Sequence, residues 1–278
     1  MRENATSPEA LASYFDLSEK YQAMYADYLR RGLITTLNPE DSENVFNEDW
    51  KLKHYFETGA DALRIVVNSL IAGRRSPPAT ILDFPCGSGR VTRHFLSFFS
   101  GARVYACDLY ERHVSFCAKV LGARGVMSRE DFDDLRFDEH FDVIFCGSLL
   151  THLPESLARS ALRLFDRTLS DRGIAVVTLH GRYSEFKRGH RVKYMSDDAL
   201  FDVAAKGART LGFGYVDYDS QAKASFDKQA SYGITLVRPH WMAQRIEENT
   251  GLRLLGYAER DWDNHHDVLV FGKPGVSV

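Results

Sequence analysis

The stretch ILDFPCGSGR, residues 81–90, determines how the rest of the sequence is interpreted. An apolar run ends in Asp83 and leads to two glycines, Gly87 and Gly89, which are separated by one serine. Glycines in a turn let the backbone approach a ligand closely, and the amides at the start of a following helix can bind an anionic group. The pattern therefore predicts a strand, a tight turn and a helix that together bind a nucleotide-like ligand.

Downstream of this loop, short apolar strands alternate with segments of helical leucine spacing. The predicted strands are TILDF, RVYACD, RGVMS, FDVIFCG, GIAVVTLH, LRLLGYAE and DVLVFGK. This alternation predicts a mostly parallel sheet that is covered by helices. The last two strands follow each other so closely that we expect an antiparallel pair at one edge. The predicted fold class is α/β, a doubly wound, mostly parallel seven-stranded sheet with an antiparallel C-terminal edge strand.

Breaks in the alternation divide the chain into four predicted regions. They are N-terminal helices within residues 1–78, a Rossmann-like core over 79–180, an insertion over 181–235 after the fifth strand, and a C-terminal part of the core sheet over 236–278. The insertion is polar, aromatic and dotted with glycines, which favours short strands or a hairpin. The C-terminal region begins with a predicted helix, PHWMAQRIEENTG, that has proline at its start and glycine after its end.

The composition is that of a globular protein with almost balanced charge. The chain has 278 residues, of which 44% are apolar and 26% charged, and its formal net charge is −3. This balance argues against a nucleic-acid partner and against an anionic membrane surface. The N-terminus lacks the apolar core of a signal peptide, and no apolar run reaches the length of a membrane span. We therefore expect a cytoplasmic protein without a membrane segment.

The cysteine and histidine spacings give no metal motif. Cys86, Cys107, Cys117 and Cys146 form no CxxC pair, and no histidine cluster has the spacing of a zinc site. Reduced cysteines in apolar strands behave as small hydrophobic residues. The sequence predicts a reducing compartment and no metal.

A second acid defines the expected ligand more closely. Asp108 closes the second predicted strand, where a carboxylate can accept hydrogen bonds from both ribose hydroxyls. A dinucleotide fingerprint needs a third glycine, and Thr92 stands at that position. Asp83 would repel a pyrophosphate and attract an ammonium group. The pattern therefore favours a nucleoside that bears an amino acid over NAD.

With these motifs the chain resembles the class I S-adenosylmethionine-dependent methyltransferases over roughly residues 79–273. ILDFPCGSGR resembles the glycine-rich first motif of that family, and Asp108 resembles its ribose-binding acid. REDFDDLRF is similar to the stretch that meets the adenine, FDVIFCGSLLTHLPE to the fourth-strand motif, and LSDRGIAVVTLHG to the glycine turn and fifth strand. The resemblance implies S-adenosylmethionine as the cofactor.

The resemblance also implies roles for individual residues. Asp131 would accept a hydrogen bond from the exocyclic amine of the adenine, and Phe132 would offer its backbone amide and an apolar flank. Pro85 replaces the commoner glycine, and we expect it to stiffen the loop without abolishing binding. The N-terminal segment, as a cap, and the insertion would shape the acceptor pocket. The implied cofactor-binding residues are Asp83, Pro85, Gly87, Gly89, Arg90, Asp108, Leu109, Asp131, Phe132, Gly147 and Ser148.

Four histidines are candidates for a general base. Methyl transfer from a sulfonium is an in-line displacement, so alignment and exclusion of water are the main tasks of the protein. A base is required only when the acceptor is a hydroxyl or a protonated amine. His152 follows the fourth predicted strand, His180 ends the fifth, and His265 and His266 precede the last.

The predicted function is methyl transfer from S-adenosylmethionine to an oxygen, nitrogen or carbon atom of a small-molecule acceptor. CGSL follows the fourth strand in place of the [DN]PP[YF] tetrapeptide, which argues against the adenine-N6 and glutamine-N methylating branches. The alternative is a catalytically silent nucleoside-binding subunit with an assembly or sensing role, because no catalytic residue is unmistakable. Asp83 and Thr92 disfavour a Rossmann dehydrogenase. The acceptor, the base and the oligomeric state, a homo-oligomer included, stay open.

Overall fold

The computed structural model describes residues 8–41, 48–188, 198–218 and 231–274, with the backbone alone for residues 8–17 and 188. The chain divides into two compact units, Met1–Val126 and Met127–Val278, which we call the N-terminal and C-terminal units. Residues 189–197 and 219–230 of the predicted insertion lie outside the described residues.

The main sheet has seven strands in the order β3-β2-β1-β4-β5-β9-β8. They are β1 (Thr80–Asp83), β2 (Arg103–Asp108), β3 (Arg124–Met127), β4 (Phe141–Cys146), β5 (Leu169–Leu179), β8 (Arg253–Trp262) and β9 (His266–Gly272). β1 pairs in parallel with β2, and β4 with β5, whereas β9 runs antiparallel to both β5 and β8. The predicted α/β fold with an antiparallel C-terminal pair at one edge is confirmed.

Among the described residues of the N-terminal unit, four helices accompany the first strands. They are α1 (Pro8–Arg31), α2 (Asp49–Ala72), α3 (Thr92–Phe98) and α4 (Glu111–Phe116), and a π-helical turn over Cys117–Leu121 continues α4. α2 buries Ala62, Val66 and Leu70, which recur every four residues and so lie on one face of the helix. The two helices expected before the core are present.

In the C-terminal unit, α5 (Glu155–Thr168) connects β4 to β5, and α8 (Pro239–Asn249) precedes β8. Between β5 and α8 lie α6 (Arg182–Arg188), α7 (Asp198–Leu211) and a separate antiparallel pair, β6 (Phe213–Asp217) with β7 (Gly233–Val237). The short strands expected in the insertion are therefore present, whereas α6 and α7 were not predicted. None of the described helices combines the length and apolar character needed to cross a membrane.

The hairpin between β8 and β9 has a tight two-residue turn. Asp263 and Asn264 both have positive φ, 54° and 48°, and the His265 amide donates to the Trp262 carbonyl at 3.0 Å. Two consecutive residues of positive φ match the twist of antiparallel strands, and Asn and Asp tolerate that conformation best. The turn therefore fixes the backbone of the two histidines that follow it.

Candidate active site

The two glycines of the loop after β1 are needed for different reasons. Gly87 has φ +49°, and among the described residues no atom lies within 4 Å of the position that a Cβ would take. Gly89 has φ +78°, and its Cβ would lie 2.3 Å from Leu121 Cδ1 and 3.1 Å from Cys117 Sγ. Gly89 is thus required for packing inside the unit, whereas Gly87 leaves open space in which a ligand can approach the backbone.

Asp108 connects the end of β2 to this loop. Its Oδ2 accepts a hydrogen bond from the Gly87 amide at 2.9 Å, and its Oδ1 accepts one from the Tyr110 amide at 3.0 Å. A carboxylate has about four lone-pair sites, of which the two amides use two, and His113 Nδ1 lies 3.5 Å from Oδ1. The buried carboxylate braces the loop and is equipped to bind a ribose at the same time.

Asp83 lies buried at the carboxyl end of β1, and its Oδ2 accepts a hydrogen bond from the Thr92 hydroxyl at 2.6 Å. Burial raises the pKa of this carboxyl to about 7; the bonds from Thr92 oppose the shift, and the charge of Asp108 adds to it. A cationic ligand nearby would favour the ionised form. Thr92, which in the sequence marked only a missing glycine, is the hydrogen-bond donor to this acid.

Arg93, in α3, links the loop to the segment that follows α1. Its guanidinium is 1% exposed and donates to backbone carbonyls on both sides. The acceptors are Gly89 O at 2.9 Å, Ser88 O at 3.3 Å, Ile34 O at 2.6 Å and Thr36 O at 3.0 Å. Asn38 adds a side-chain bond to the Ser88 hydroxyl at 3.3 Å. A buried arginine that binds carbonyls therefore ties residues 34–38 to the glycine loop, and no sequence motif predicts this contact.

The remaining predicted cofactor residues of the N-terminal unit lie around the loop. The Phe84–Pro85 peptide bond is cis. The Arg90 guanidinium lies 5.3 Å from the centre of the Tyr55 ring, in a cation–π contact. Leu109 follows β2 and is partly exposed. Their contacts to a cofactor stay predictions.

The C-terminal unit holds the other four predicted cofactor residues. Asp131 accepts from the Asp133 amide at 2.9 Å and so caps the short turn that contains the buried Phe132. Ser148 has φ +61°, and its amide donates to Thr178 Oγ1 at 2.8 Å.

Gly147 has a packing reason of its own. A Cβ at this residue would lie 2.7 Å from the Phe145 ring and 3.0 Å from the Trp262 ring, so only glycine fits between the two. The cofactor roles of Asp131, Phe132, Gly147 and Ser148 stay predictions.

The four histidines expected as base candidates lie together in the C-terminal unit. The ring centres of His180 and His266 are 4.8 Å apart, those of His265 and His266 4.8 Å, and those of His180 and His265 5.6 Å. The ring of His152 lies 6.0 Å from that of His180. The structure therefore joins four candidates from three separate segments into one cluster, which we call the histidine cluster.

The hydrogen bonds of His152 fix its tautomer. Its Nδ1 lies 2.9 Å from the carbonyl oxygen of Gly233 and 3.2 Å from the Tyr218 hydroxyl, and its ring stacks on Tyr232 at 4.6 Å. Because a carbonyl only accepts, Nδ1 carries the proton and Nε2 keeps its lone pair. Burial lowers the pKa of His152 to about 4, so the imidazole is neutral at physiological pH.

The other three rings are also held in place by neighbours. Burial lowers the pKa of His180, and the adjacent His266, His152 and His265 lower it further. Burial, followed by the charge of Lys187, lowers the pKa of His265 to about 4, and Lys187 Nζ donates to His265 Nδ1 at 3.1 Å. His266 Nδ1 lies 3.2 Å from Thr178 Oγ1.

Comparison with known proteins agrees with this geometry. A protein-family model described as a methyltransferase domain matches residues 81–173, which run from β1 into β5. The resemblance to the class I S-adenosylmethionine-dependent methyltransferases that the motifs predicted is confirmed over this segment. No curated protein sequence matches the chain.

Solved structures of methyltransferases share the fold at low sequence identity. An S-adenosylmethionine-dependent methyltransferase from Clostridium acetobutylicum is 12% identical, with a TM-score of 0.51 over 83% of this chain and 94% of that one. The CcbJ methyltransferase from Streptomyces caelestis is 14% identical, with a TM-score of 0.50 over 77% and 89%. The 1,6-didemethyltoxoflavin-N1-methyltransferase from Burkholderia thailandensis is 15% identical, with a TM-score of 0.50 over 98% and 93%. At these identities the likeness concerns the fold alone.

The residues of this methyltransferase domain fit the cofactor of its family, S-adenosylmethionine. Gly87 gives open access to the backbone, Asp108 retains acceptor capacity for the ribose, and Asp83 is a buried acid suited to a cationic ligand. These features lie on β1, β2 and the loop between β1 and α3. The carboxyl ends of parallel strands are where α/β sheets bind ligands.

Proposed function

We propose that the protein transfers a methyl group from S-adenosylmethionine to an oxygen, nitrogen or carbon atom of a small-molecule acceptor. The observation that carries the proposal is the bond from the Gly87 amide to Asp108 Oδ2, 2.9 Å long, beside open space at Gly87. It joins the two parts of a nucleoside site, the loop and the ribose acid, in one rigid contact. When bound, the cofactor supplies a methyl group on a sulfonium, whose sulfur keeps the bonding electrons.

On the methyl-donor side of the reaction, the chain binds and orients the cofactor. Asp108 accepts from the ribose hydroxyls with the lone pairs that Gly87 and Tyr110 leave available. Asp83 offers negative charge to the α-ammonium group of the cofactor. Arg93 holds the loop against residues 34–38, so the proposed cap, residues 1–78, is coupled to the cofactor loop.

On the acceptor side, we assign the proton-accepting role to His152. Its Nδ1 donates to the Gly233 carbonyl, so Nε2 is the nitrogen that can accept a proton from the acceptor hydroxyl or amine. Tyr232 and Tyr218 pack around the ring and restrict water, which suits a displacement in a dry pocket. Both tyrosines belong to the proposed insertion, residues 181–235, which we propose shapes this pocket.

Two observations support a small-molecule acceptor. The near-neutral net charge of −3 gives no field that recruits nucleic acid. The structural neighbour from Burkholderia thailandensis holds a small heterocycle, 1,6-didemethyltoxoflavin, together with S-adenosylhomocysteine.

The proposal is tested by cofactor binding and turnover measured separately. Calorimetry with S-adenosylhomocysteine is expected to show binding, and a panel of phenols, amines and heterocycles is expected to yield S-adenosylhomocysteine from S-adenosylmethionine. His152→Asn keeps an amide donor for the Gly233 carbonyl and removes Nε2. We expect it to bind S-adenosylhomocysteine normally and to lose about 10²- to 10⁴-fold in kcat on a hydroxyl acceptor.

His140→Asn, at an exposed position of the same unit, is the matched control and should retain activity. Binding of S-adenosylhomocysteine without turnover on any acceptor would favour the silent subunit. Full activity of His152→Asn would remove the assigned base.

A further inference from the structure

We propose that His180, His265 and His266 form a binding site for a divalent transition-metal ion, Zn²⁺ in the first place. One ring nitrogen from each residue lies within 4.8 Å of the others. Imidazole is the side chain that Zn²⁺ and its neighbours in the first transition row share as a ligand. The proposal does not depend on methyl transfer, and it differs from the expectation from sequence that the chain has no metal site.

The spacing of the three rings is that of a tetrahedral site. With a metal–nitrogen bond of about 2.0–2.1 Å, each ring centre lies about 3.2 Å from the ion, so the ring centres lie about 5.2 Å apart. The observed separations are 4.8, 4.8 and 5.6 Å. The ring centres are therefore at about the separation that a shared ion needs.

The backbone fixes this arrangement. β5 and β9 are antiparallel with Leu179 opposite Asp267, so the next pair in the same register is His180 opposite His266. Directly opposite residues of an antiparallel pair have their Cβ atoms about 4.5–5.5 Å apart on one face of the sheet. His265 stands at the end of the two-residue turn at Asp263 and Asn264. The three histidines thus lie at the paired ends of β5 and β9 and at the tight turn that precedes β9.

Two of the rings have a second partner of the kind that orients metal ligands. His266 Nδ1 lies 3.2 Å from Thr178 Oγ1. His180 makes a hydrogen bond with the backbone of Thr235. Metal-ligating histidines commonly use their second nitrogen for such a bond, which sets the ring orientation. Three protein ligands leave a fourth position for water or for a heteroatom of a small molecule.

The ammonium group of Lys187 competes with a metal ion for the histidine cluster. Its ammonium donates to His265 Nδ1 at 3.1 Å and places a positive charge beside the cluster. The side chain is partly exposed on the short helix α6, so it is able to turn outward when an ion binds. Removal of this charge should strengthen metal binding, which a merely structural histidine cluster would not show.

The experiment uses the full-length protein without a histidine tag, freed of metal with a chelator and titrated with Zn²⁺ in a calorimeter. A parallel titration with Co²⁺ monitors the visible absorption bands of a tetrahedral ion. We expect one equivalent of each ion to bind. His265→Ala and His266→Ala should weaken binding by more than about 100-fold, because loss of an orienting partner alone costs 10–100-fold. Lys187→Met should strengthen binding by about tenfold or more, because it removes a like charge.

His140→Ala is the control and should bind Zn²⁺ as the unaltered protein does. S-adenosylhomocysteine binding and the melting temperature identify variants that fail to fold, and in that event the Lys187→Met measurement decides. The proposal is overturned if the unaltered protein binds no Zn²⁺. It is equally overturned if folded His265→Ala and His266→Ala bind it with unchanged affinity, or if Lys187→Met does not strengthen binding.

Discussion

Adding one methyl group to each glycine of the loop should separate packing from ligand approach. Gly87→Ala places a Cβ in open space at φ +49°, whereas Gly89→Ala places one 2.3 Å from Leu121 Cδ1 at φ +78°. A left-handed conformation costs a non-glycine residue about 1–2 kcal/mol. Overpacking of a core adds about 1–3 kcal/mol, and Leu121 is buried, so it cannot simply turn away. We therefore expect the free energy of unfolding to fall by about 1–2 kcal/mol in Gly87→Ala and by about 2–5 kcal/mol in Gly89→Ala.

For cofactor affinity we expect the opposite ranking of the two variants: Gly87→Ala should lose more affinity than Gly89→Ala. The Cβ of Gly87→Ala points into the space that we assign to the cofactor. Its affinity for S-adenosylhomocysteine should fall by at least about tenfold, or 1.4 kcal/mol. In Gly89→Ala the Cβ points toward Leu121 and Cys117, so its loss of affinity for S-adenosylhomocysteine should be smaller than that of Gly87→Ala.

Urea unfolding followed by tryptophan fluorescence gives the two stabilities, and calorimetry below the unfolding transition gives the two affinities. The reasoning would be refuted if Gly87→Ala bound S-adenosylhomocysteine within twofold of the unaltered protein. It would also be refuted if Gly87→Ala unfolded at a lower urea concentration than Gly89→Ala, because packing would then not distinguish the two positions.

Three further predictions concern the same unit. Asp108→Asn keeps the shape of the side chain but removes the charge that accepts hydrogen bonds from the ribose. A charge-assisted hydrogen bond is worth about 1.5–3 kcal/mol, so calorimetry should show S-adenosylhomocysteine binding weakened by about 10- to 150-fold. Arg93→Met removes the buried guanidinium that donates to the Gly89, Ile34 and Thr36 carbonyls and should lower the free energy of unfolding in urea by about 3 kcal/mol or more. Arg90→Met changes a partly exposed residue and should cost less than about 1 kcal/mol. The pKa of Asp83 is raised to about 7 from 3.8, so the unfolded chain releases this proton first and the stability that Asp83 contributes falls as the pH rises from 4 through 7. A cationic cofactor favours the ionised form of Asp83, so binding of S-adenosylmethionine near pH 7 should release a proton. Calorimetry in buffers of different ionisation enthalpy measures this release. Equal heats in those buffers, or a proton release that persists in Asp83→Asn, would contradict the role of Asp83.

Much of the fold was predictable because its strands carry a strong local signal. β1, β2 and β4 are short runs rich in apolar residues that the structure largely buries; β1 and β2 end at an aspartate, and Gly147 follows β4. Such runs are typical of strands that are covered on both faces. The order of the motifs then indicated which strand end carries which part of the cofactor site.

Helix α7 was missed because its glycine was interpreted as a loop signal. Gly207 lies inside the helix, and a Cβ there would lie 3.0 Å from both Gly214 Cα and the Phe213 carbonyl oxygen. The residue is small because the helix packs closely on β6. The apolar spacing of Phe201, Ala204 and Ala208 is that of one helix face, and this weaker signal was hidden by the polar residues around it.

The histidine cluster lay beyond sequence reasoning for a different reason. Rules for metal sites use the spacing of ligands within one hairpin or one helix, where chain distance and spatial distance agree. His180 and His266 are distant in sequence, and only the antiparallel register of β5 and β9 places them opposite each other. That register depends on the order of the last two strands in the sheet, since β9 inserts between β5 and β8. The absence of a spacing motif therefore argued only against sites built from one local element. A site that is shared by the end of one strand and the start of its antiparallel neighbour has no such motif to detect.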